Sequence, residues 1–154
     1  DALLGILAQR LARRLCTSCK KAHVATESEI RALLDEYSHE LLATVTWKRN
    51  LDLAQEALYK EWLREFGNEK GEITLYRAVG CEVCNNTGYK GRVGLHELLV
   101  GTDTIKKNIQ EHARVAEMFA TAVEEGMRTL KQDGIEKVLT GLTDIHQVRS
   151  VCIK

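Results

Sequence analysis

Leu15-Cys16-Thr17-Ser18-Cys19-Lys20 and Gly80-Cys81-Glu82-Val83-Cys84-Asn85-Asn86-Thr87-Gly88-Tyr89 carry the most specific chemistry in this chain of 154 residues. Each holds a Cys-x-x-Cys pair, and a two-residue gap lets one tight turn aim two thiolates at a metal about 2.3 Å away. Two such turns complete a closed tetrahedral shell of four sulfurs, so Cys16, Cys19, Cys81 and Cys84 read as ligands of a structural Zn2+ ion. The 61 residues between Cys19 and Cys81 are a long loop, but closure entropy grows only logarithmically with length. Gly80, Asn85, Asn86 and Gly88 tolerate left-handed backbone, which suits turns whose N–H groups point at sulfur.

Other uses of these cysteines fit less well. A thioredoxin-like pair opens a helix after a strand in a βαβ unit, whereas Cys16 follows an apolar helical pattern. Disulfides within such short turns are strained, and the chain reads as cytosolic. Four thiolates leave no open position for a catalytic water. His23 could replace a cysteine, but a solvated surface histidine is the preferred reading, and Cys152 reads as a half-buried apolar residue on the last helix.

Outward from the cysteines, hydrophobic periodicity organises the chain. Leu3, Leu4, Leu7, Leu11 and Leu15 recur at helical spacing, predicting a helix over about 2–15. Thr26 and Glu29 form a capping-box pattern that opens a helix through Ile30, Leu33, Leu34, Tyr37 and Leu41. Trp47, Leu51, Ala54, Leu58, Trp62 and Phe66 share one face of a second helix ended by Gly67 and Asn68; both tryptophans lie on it, and its stripe reads as core in preference to a docking surface. The period then changes: Ile73 to Val79 reads as a strand, and Tyr89 to Val100 as a strand or hairpin arm. Helices resume after Gly101, with Thr102 or Asp103 as N-cap, then Val115 to Gly126, Leu130 to Gly141, and a last one from Thr143.

Composition closes off several classes. With 22 Lys plus Arg against 22 Asp plus Glu, the chain lacks the positive excess of a nucleic-acid binder. Its longest apolar run, Ala2 to Ala8, is far short of the roughly 20 residues that span a bilayer, and no signal-peptide pattern opens it. There is no proline, where average usage would give roughly eight. The expected class is therefore α+β, mostly helical, with a small β element around a four-cysteine zinc site. The chain opens on Asp1 without Met and runs at once into an amphipathic pattern, which reads as a domain excised from something longer. No phosphate loop, Gly-x-Ser-x-Gly or His-Glu-x-x-His occurs, so no unaided nucleotide hydrolysis is expected. The glycines of Gly88 to Gly94 precede a β-like run and read as a hairpin turn, not a phosphate cradle.

Three segments together, AQRLARRLCTSCK (8–20), YRAVGCEVCNNTGYKGRVGLHELL (76–99) and GMRTLKQDGIEKVLTGLTDIHQV (126–148), resemble the C-terminal part of the type II secretion and type IV pilus assembly ATPases. The resemblance implies that 1–15 is the tail helix of an upstream RecA-like ATPase core, that 16–100 is a zinc-binding subdomain with a helical insert at about 26–68, and that 101–154 is a C-terminal helical subdomain. It implies a non-catalytic module of a hexameric cytoplasmic motor, with ATP and Mg2+ bound only by the full-length parent. Its implied partners are the upstream core, neighbouring subunits of the homo-hexamer and the cytoplasmic part of an inner-membrane platform protein, which would hold it at the membrane without a span of its own. Gly91, Arg92, Gly94 and Glu97 match the family's Gly-Arg-x-Gly-x-x-Glu stretch. Thr17 stands where relatives commonly have proline, which is harmless to ligation, and residues about 43–72 lengthen the segment between the cysteine pairs. Retraction ATPases, which usually lack the four cysteines, fit less well. A free-standing zinc-stabilised adaptor is the competing function; the zinc modules of J-domain chaperones use four Cys-x-x-Cys repeats with the Thr-Gly extension, and here only the second pair has it. A zinc hydrolase or deaminase would need a Glu or His beside an open coordination site.

Overall fold

A computed structural model describes residues 3–152. The chain is α+β: seven α-helices and two small antiparallel sheets among the described residues.

The segment expected as a helix over 2–15 is instead strand β1 (Gly5–Leu15), with Ala2 outside the described residues. It pairs antiparallel with β4 (Tyr89–Val100), from Gly5↔Val100 to Leu15↔Tyr89. Leucines at spacings of three and four mimic a helical stripe, but Ile6, Ala8 and Ala12 fill the alternate positions. Strand propensity then follows from the partner, rich in Val and Leu and far along the chain. Near its end the ribbon bulges: Lys90 and Gly91 oppose Arg14 alone, and Gly91 sits at φ +83°. The stretch expected as a hairpin turn is thus the end of the second cysteine turn followed by bulged strand.

A short sheet of β2 (Lys21–Val24) and β3 (Thr74–Arg77) carries the helical insert between its strands. Thr26 and Glu29 form the expected capping box on α1 (Glu27–His39). The single expected helix from Trp47 to Phe66 is divided into α2 (Val45–Arg49) and α3 (Leu51–Phe66). Asn50 leaves helical geometry between them and accepts the N–H of Leu53 on its side chain, the competition by which Asn interrupts a helix and starts a new one.

The C-terminal helices are α4 (Asp103–Gln110), capped by Thr102, α5 (Val115–Glu124), α6 (Leu130–Leu139) and α7 (Ile145–Val151). The last is capped by Asp144 and not by Thr143, whose hydroxyl bonds the carbonyl of Arg13 at 2.8 Å. One core joins insert and C-terminal part: Ile30, Leu34, Tyr37 and Trp62 share a buried cluster with Ile135, Val138 and Val148. Tyr37 and Trp62 meet edge to face at 5.5 Å. The tryptophan stripe is therefore core at Leu58 and Trp62, while Trp47 and Phe66 pack against that core half-buried.

Candidate metal centre

Leu15 closes β1 fully buried, and the chain turns at once through Cys16–Cys19, the amides of Cys19 and Lys20 both donating to the Cys16 carbonyl. The second turn runs from Gly80 through a 3-10 turn at Glu82–Cys84 to Gly88. Asn85 and Asn86 have φ of 55° and 61°, the left-handed conformation their short polar side chains tolerate. At Gly88, φ is +84° and a Cβ would lie 2.6 Å from that of Ala78, so no side chain fits there. The Cys16 amide bonds the Gly88 carbonyl at 3.0 Å and locks the two turns together.

All four expected sulfurs converge, lying within 4.8 Å of one another. Cys16 and Cys81 are 3.8 Å apart, Cys19 and Cys84 3.9 Å, and Cys81 and Cys84 3.8 Å. A tetrahedron with metal–sulfur bonds of about 2.3 Å has edges of about 3.8 Å, so the spacing fits a metal held by four thiolates. Backbone N–H groups aim at the sulfurs: Gly80 at Cys19 (3.3 Å), and Cys81 and Gly88 at Cys84 (both 3.2 Å).

Electrostatics divide the thiols. Burial raises the pKa of Cys84, but the Cys81 and Gly88 amides outweigh it and bring the thiol down to about 6. Cys16 is likewise lowered; burial opposes the Ser18 amide and the Cys81 thiol, which prevail. The Gly80 amide lowers Cys19, yet burial and the three neighbouring thiols together push it up to about 11. The Cys84 and Cys16 thiolates are thus favoured and that of Cys19 is opposed, an imbalance that a cation among the sulfurs would offset.

The structure holds His23 away from this cluster. Its Nε2 pairs with Glu29 at 3.0 Å, half-buried on β2, so it is neither a ligand nor the freely solvated histidine expected. Cys152 is half-buried at the end of α7, where burial raises its thiol.

Contacts that brace the turns involve residues with no motif. Lys20 donates to the Gly141 carbonyl at 2.8 Å and lies over the Tyr76 ring. Leu15 donates its amide to Leu142, and the Arg13 amide is taken by Gln147. Within the Gly-Arg-x-Gly-x-x-Glu stretch, Glu97 accepts the Leu130 amide at the start of α6. A Cβ on Gly94 would crowd the side chains of His96 and Gln9, and Arg92 is exposed directly opposite Arg13.

With this geometry in place, likeness to known proteins is informative. The family model described as type II/IV secretion system protein matches residues 1–150. The chain is 36% identical to the type IV pilus assembly ATPase PilB of Thermus thermophilus over 155 residues, covering 96% of this chain and 13% of that protein. It is 33% identical to the type II secretion system ATPase E of Vibrio cholerae, covering 98% and 24%. With the PilB of Pseudomonas aeruginosa it shares 32% identity, covering 95% and 20%. The chain thus spans a quarter or less of the length of these curated relatives.

Proposed function

Because the chain belongs to the type II/IV secretion system protein family, we propose that it is the non-catalytic, C-terminal zinc-binding domain of a hexameric cytoplasmic ATPase that powers type II protein secretion or type IV pilus assembly. The observation that carries the zinc assignment is the set of sulfur–sulfur distances of 3.8–3.9 Å. Cys16, Cys19, Cys81 and Cys84 would hold the ion, which supplies positive charge that fixes four thiolates and cross-links the two turns. The amides of Gly80, Cys81 and Gly88 orient the sulfurs of Cys19 and Cys84.

ATP and Mg2+ belong, in this reading, to the preceding RecA-like core. The exposed outer half of the β1–β4 ribbon supports it, because Leu7, Leu11 and Leu98 are 61%, 49% and 50% exposed on one face. Long strands apolar on both faces are the pattern of a sheet covered on both sides. Residues 1–15 would then belong to that core, joined to it through β1, with 16–100 the zinc-binding part and 101–154 the C-terminal helical part. No helix among the described residues is long and apolar enough to cross a membrane; attachment to the inner membrane is assigned to a platform partner. The match over 1–150 favours this reading over a free-standing adaptor.

Elemental analysis of protein purified without added metal should find close to one zinc per chain, lost in Cys81→Ser. A folded, metal-free protein indifferent to chelator would overturn the zinc assignment. Saturable micromolar ATP binding by this chain alone would overturn the placing of nucleotide chemistry upstream.

A further inference from the structure

Three contacts fix which way the main chain of β1 points. The Leu4 carbonyl accepts the Gly101 amide and so faces β4. The Arg13 amide and carbonyl face the other way, to the Gln147 side chain and the Thr143 hydroxyl, and the Leu15 amide likewise meets the Leu142 carbonyl. Because successive peptide groups of a strand alternate in direction, the even-numbered residues pair with β4, and Gly5, Leu7, Gln9 and Leu11 turn their N–H and C=O groups outward.

Those outward groups are unmatched. Among the described residues no element beyond the ribbon bonds the main chain of these four, and the Gln9 carbonyl takes only the guanidinium of neighbouring Arg10, at 3.2 Å. All four residues are exposed. The opposite edge of the ribbon, on β4, is in contrast held by α6, where Asp133 accepts the His96 amide at 2.8 Å.

A row of main-chain donors and acceptors repeating every second residue, about 7 Å apart, is matched by another extended strand and not by a helix or a bare ion. The edge also lacks the devices that keep free strands unpaired. From Gly5 to Leu11 it has no proline, no lysine and no bulge, and Arg10 is its only charge. Apolar side chains flank it on both faces, Leu7 and Leu11 on one and Ile6, 52% exposed, on the other. This is the make-up of a strand interior to a sheet wider than the ribbon.

We propose that the outer edge of β1 from Gly5 to Leu11 pairs with a strand of the ATPase core, so that the ribbon forms the rim of that core's sheet. The pairing ends before Arg13, whose amide and carbonyl are already taken. It rests on the reading of the chain as part of a larger ATPase. The chain covers a quarter or less of its relatives' length, which leaves such a strand to the same polypeptide, and a permanent neighbour suits an edge with no guard of its own.

The test compares hydrogen exchange in the zinc-loaded chain and in the longer polypeptide. In the chain alone the amides of Ile6, Ala8 and Arg10 should be protected and those of Gly5, Leu7, Gln9 and Leu11 should not. In the longer polypeptide the second set should slow by about tenfold or more. Gln9→Pro removes an outward N–H and should leave the melting temperature of this chain nearly unchanged, whereas Arg10→Pro removes a ladder bond and should lower it. In the longer polypeptide Gln9→Pro should also lower protection at Leu7 and Leu11. Equal falls in melting temperature for the two proline variants would reverse the phase of β1 and overturn the proposal. Protection that grows on concentrating this chain alone would identify a second copy as the occupant and overturn it as well. Micromolar ATP binding by the longer polypeptide tests the core reading separately, so unprotected edge amides in an ATP-binding protein overturn the edge pairing alone.

Discussion

The hydroxyl of Tyr89, at the start of β4, donates to the carboxylate of Asp144 that caps α7, fastening the strand leaving the second cysteine turn to the last helix. Burial, reinforced by this carboxylate, pushes the Tyr89 phenol up to about 12. Because the folded pKa lies above the unfolded value of about 10, the unfolded chain loses its proton first as pH rises. The contribution is therefore complete below about pH 10 and is lost as pH rises through 12. Tyr89→Phe should lower stability by about 1–2 kcal/mol at neutral pH, retain full zinc content, and flatten the alkaline limb of a denaturant-midpoint profile. An unchanged alkaline limb would show that the bond is not made in solution.

Removal of the metal should loosen more than the cysteines. The turn at 140–144 hangs on the first cysteine turn and the end of β1 through Lys20 to Gly141, Leu15 to Leu142 and Thr143 to Arg13. With structural zinc contributing apparent free energies of about 10–16 kcal/mol, chelation should raise amide hydrogen exchange across 15–24, 74–90 and 140–145. The buried cluster of α1, α3 and α6 should keep most of its protection, since its apolar contacts do not pass through the sulfurs. Uniform loss of protection would instead make metal binding and folding a single event, and unchanged exchange at 140–145 would remove the proposed brace.

The two tryptophans should behave differently. Trp62 is 3% exposed and packs edge to face on Tyr37, whereas Trp47 is half-buried. Trp62→Ala should cost about 3–5 kcal/mol through lost burial and the cavity left behind. Acrylamide should quench the fluorescence remaining in Trp47→Phe poorly and that remaining in Trp62→Phe more readily. Equal, ready quenching of both would mean that α3 is not seated on α1 as described.

What could be read from the sequence was what neighbouring residues decide. The Thr26–Glu29 box is a contact across three positions, and each Cys-x-x-Cys turn states its chemistry within four residues, so α1 and the sulfur cluster were legible. The identity of β1 was not, because Leu3, Leu7, Leu11 and Leu15 satisfy a helical period as well as one face of a strand, with Ile6, Ala8 and Ala12 on the other. The deciding partner, Leu98 opposite Leu7 in the register, lies in another part of the chain. The bracing contacts share that property: Tyr89 and Asp144 are 55 positions apart and belong to no motif. Glu97 was visible as part of a motif, but its work, receiving the Leu130 amide, appears only when α6 is laid along β4.

Gly134 puts helix propensity and packing in direct opposition. It lies inside α6, where an exposed glycine would be improved by alanine by about 1 kcal/mol. Here the residue is buried, and a Cβ would lie 2.6 Å from Cγ1 of Val148 and 3.2 Å from Cδ1 of Leu95. Both neighbours are fully buried, on α7 and β4, so neither can move aside without shifting its element. Overpacking of this kind costs about 1–3 kcal/mol and outweighs the propensity gain. Gly134→Ala should therefore lower the melting temperature, and adding Val148→Ala should recover part of the loss by making room for the new methyl, a coupling that separately measured single variants would not give by addition. A stabilised Gly134→Ala would mean that α6, α7 and β4 do not meet as closely as the structure places them.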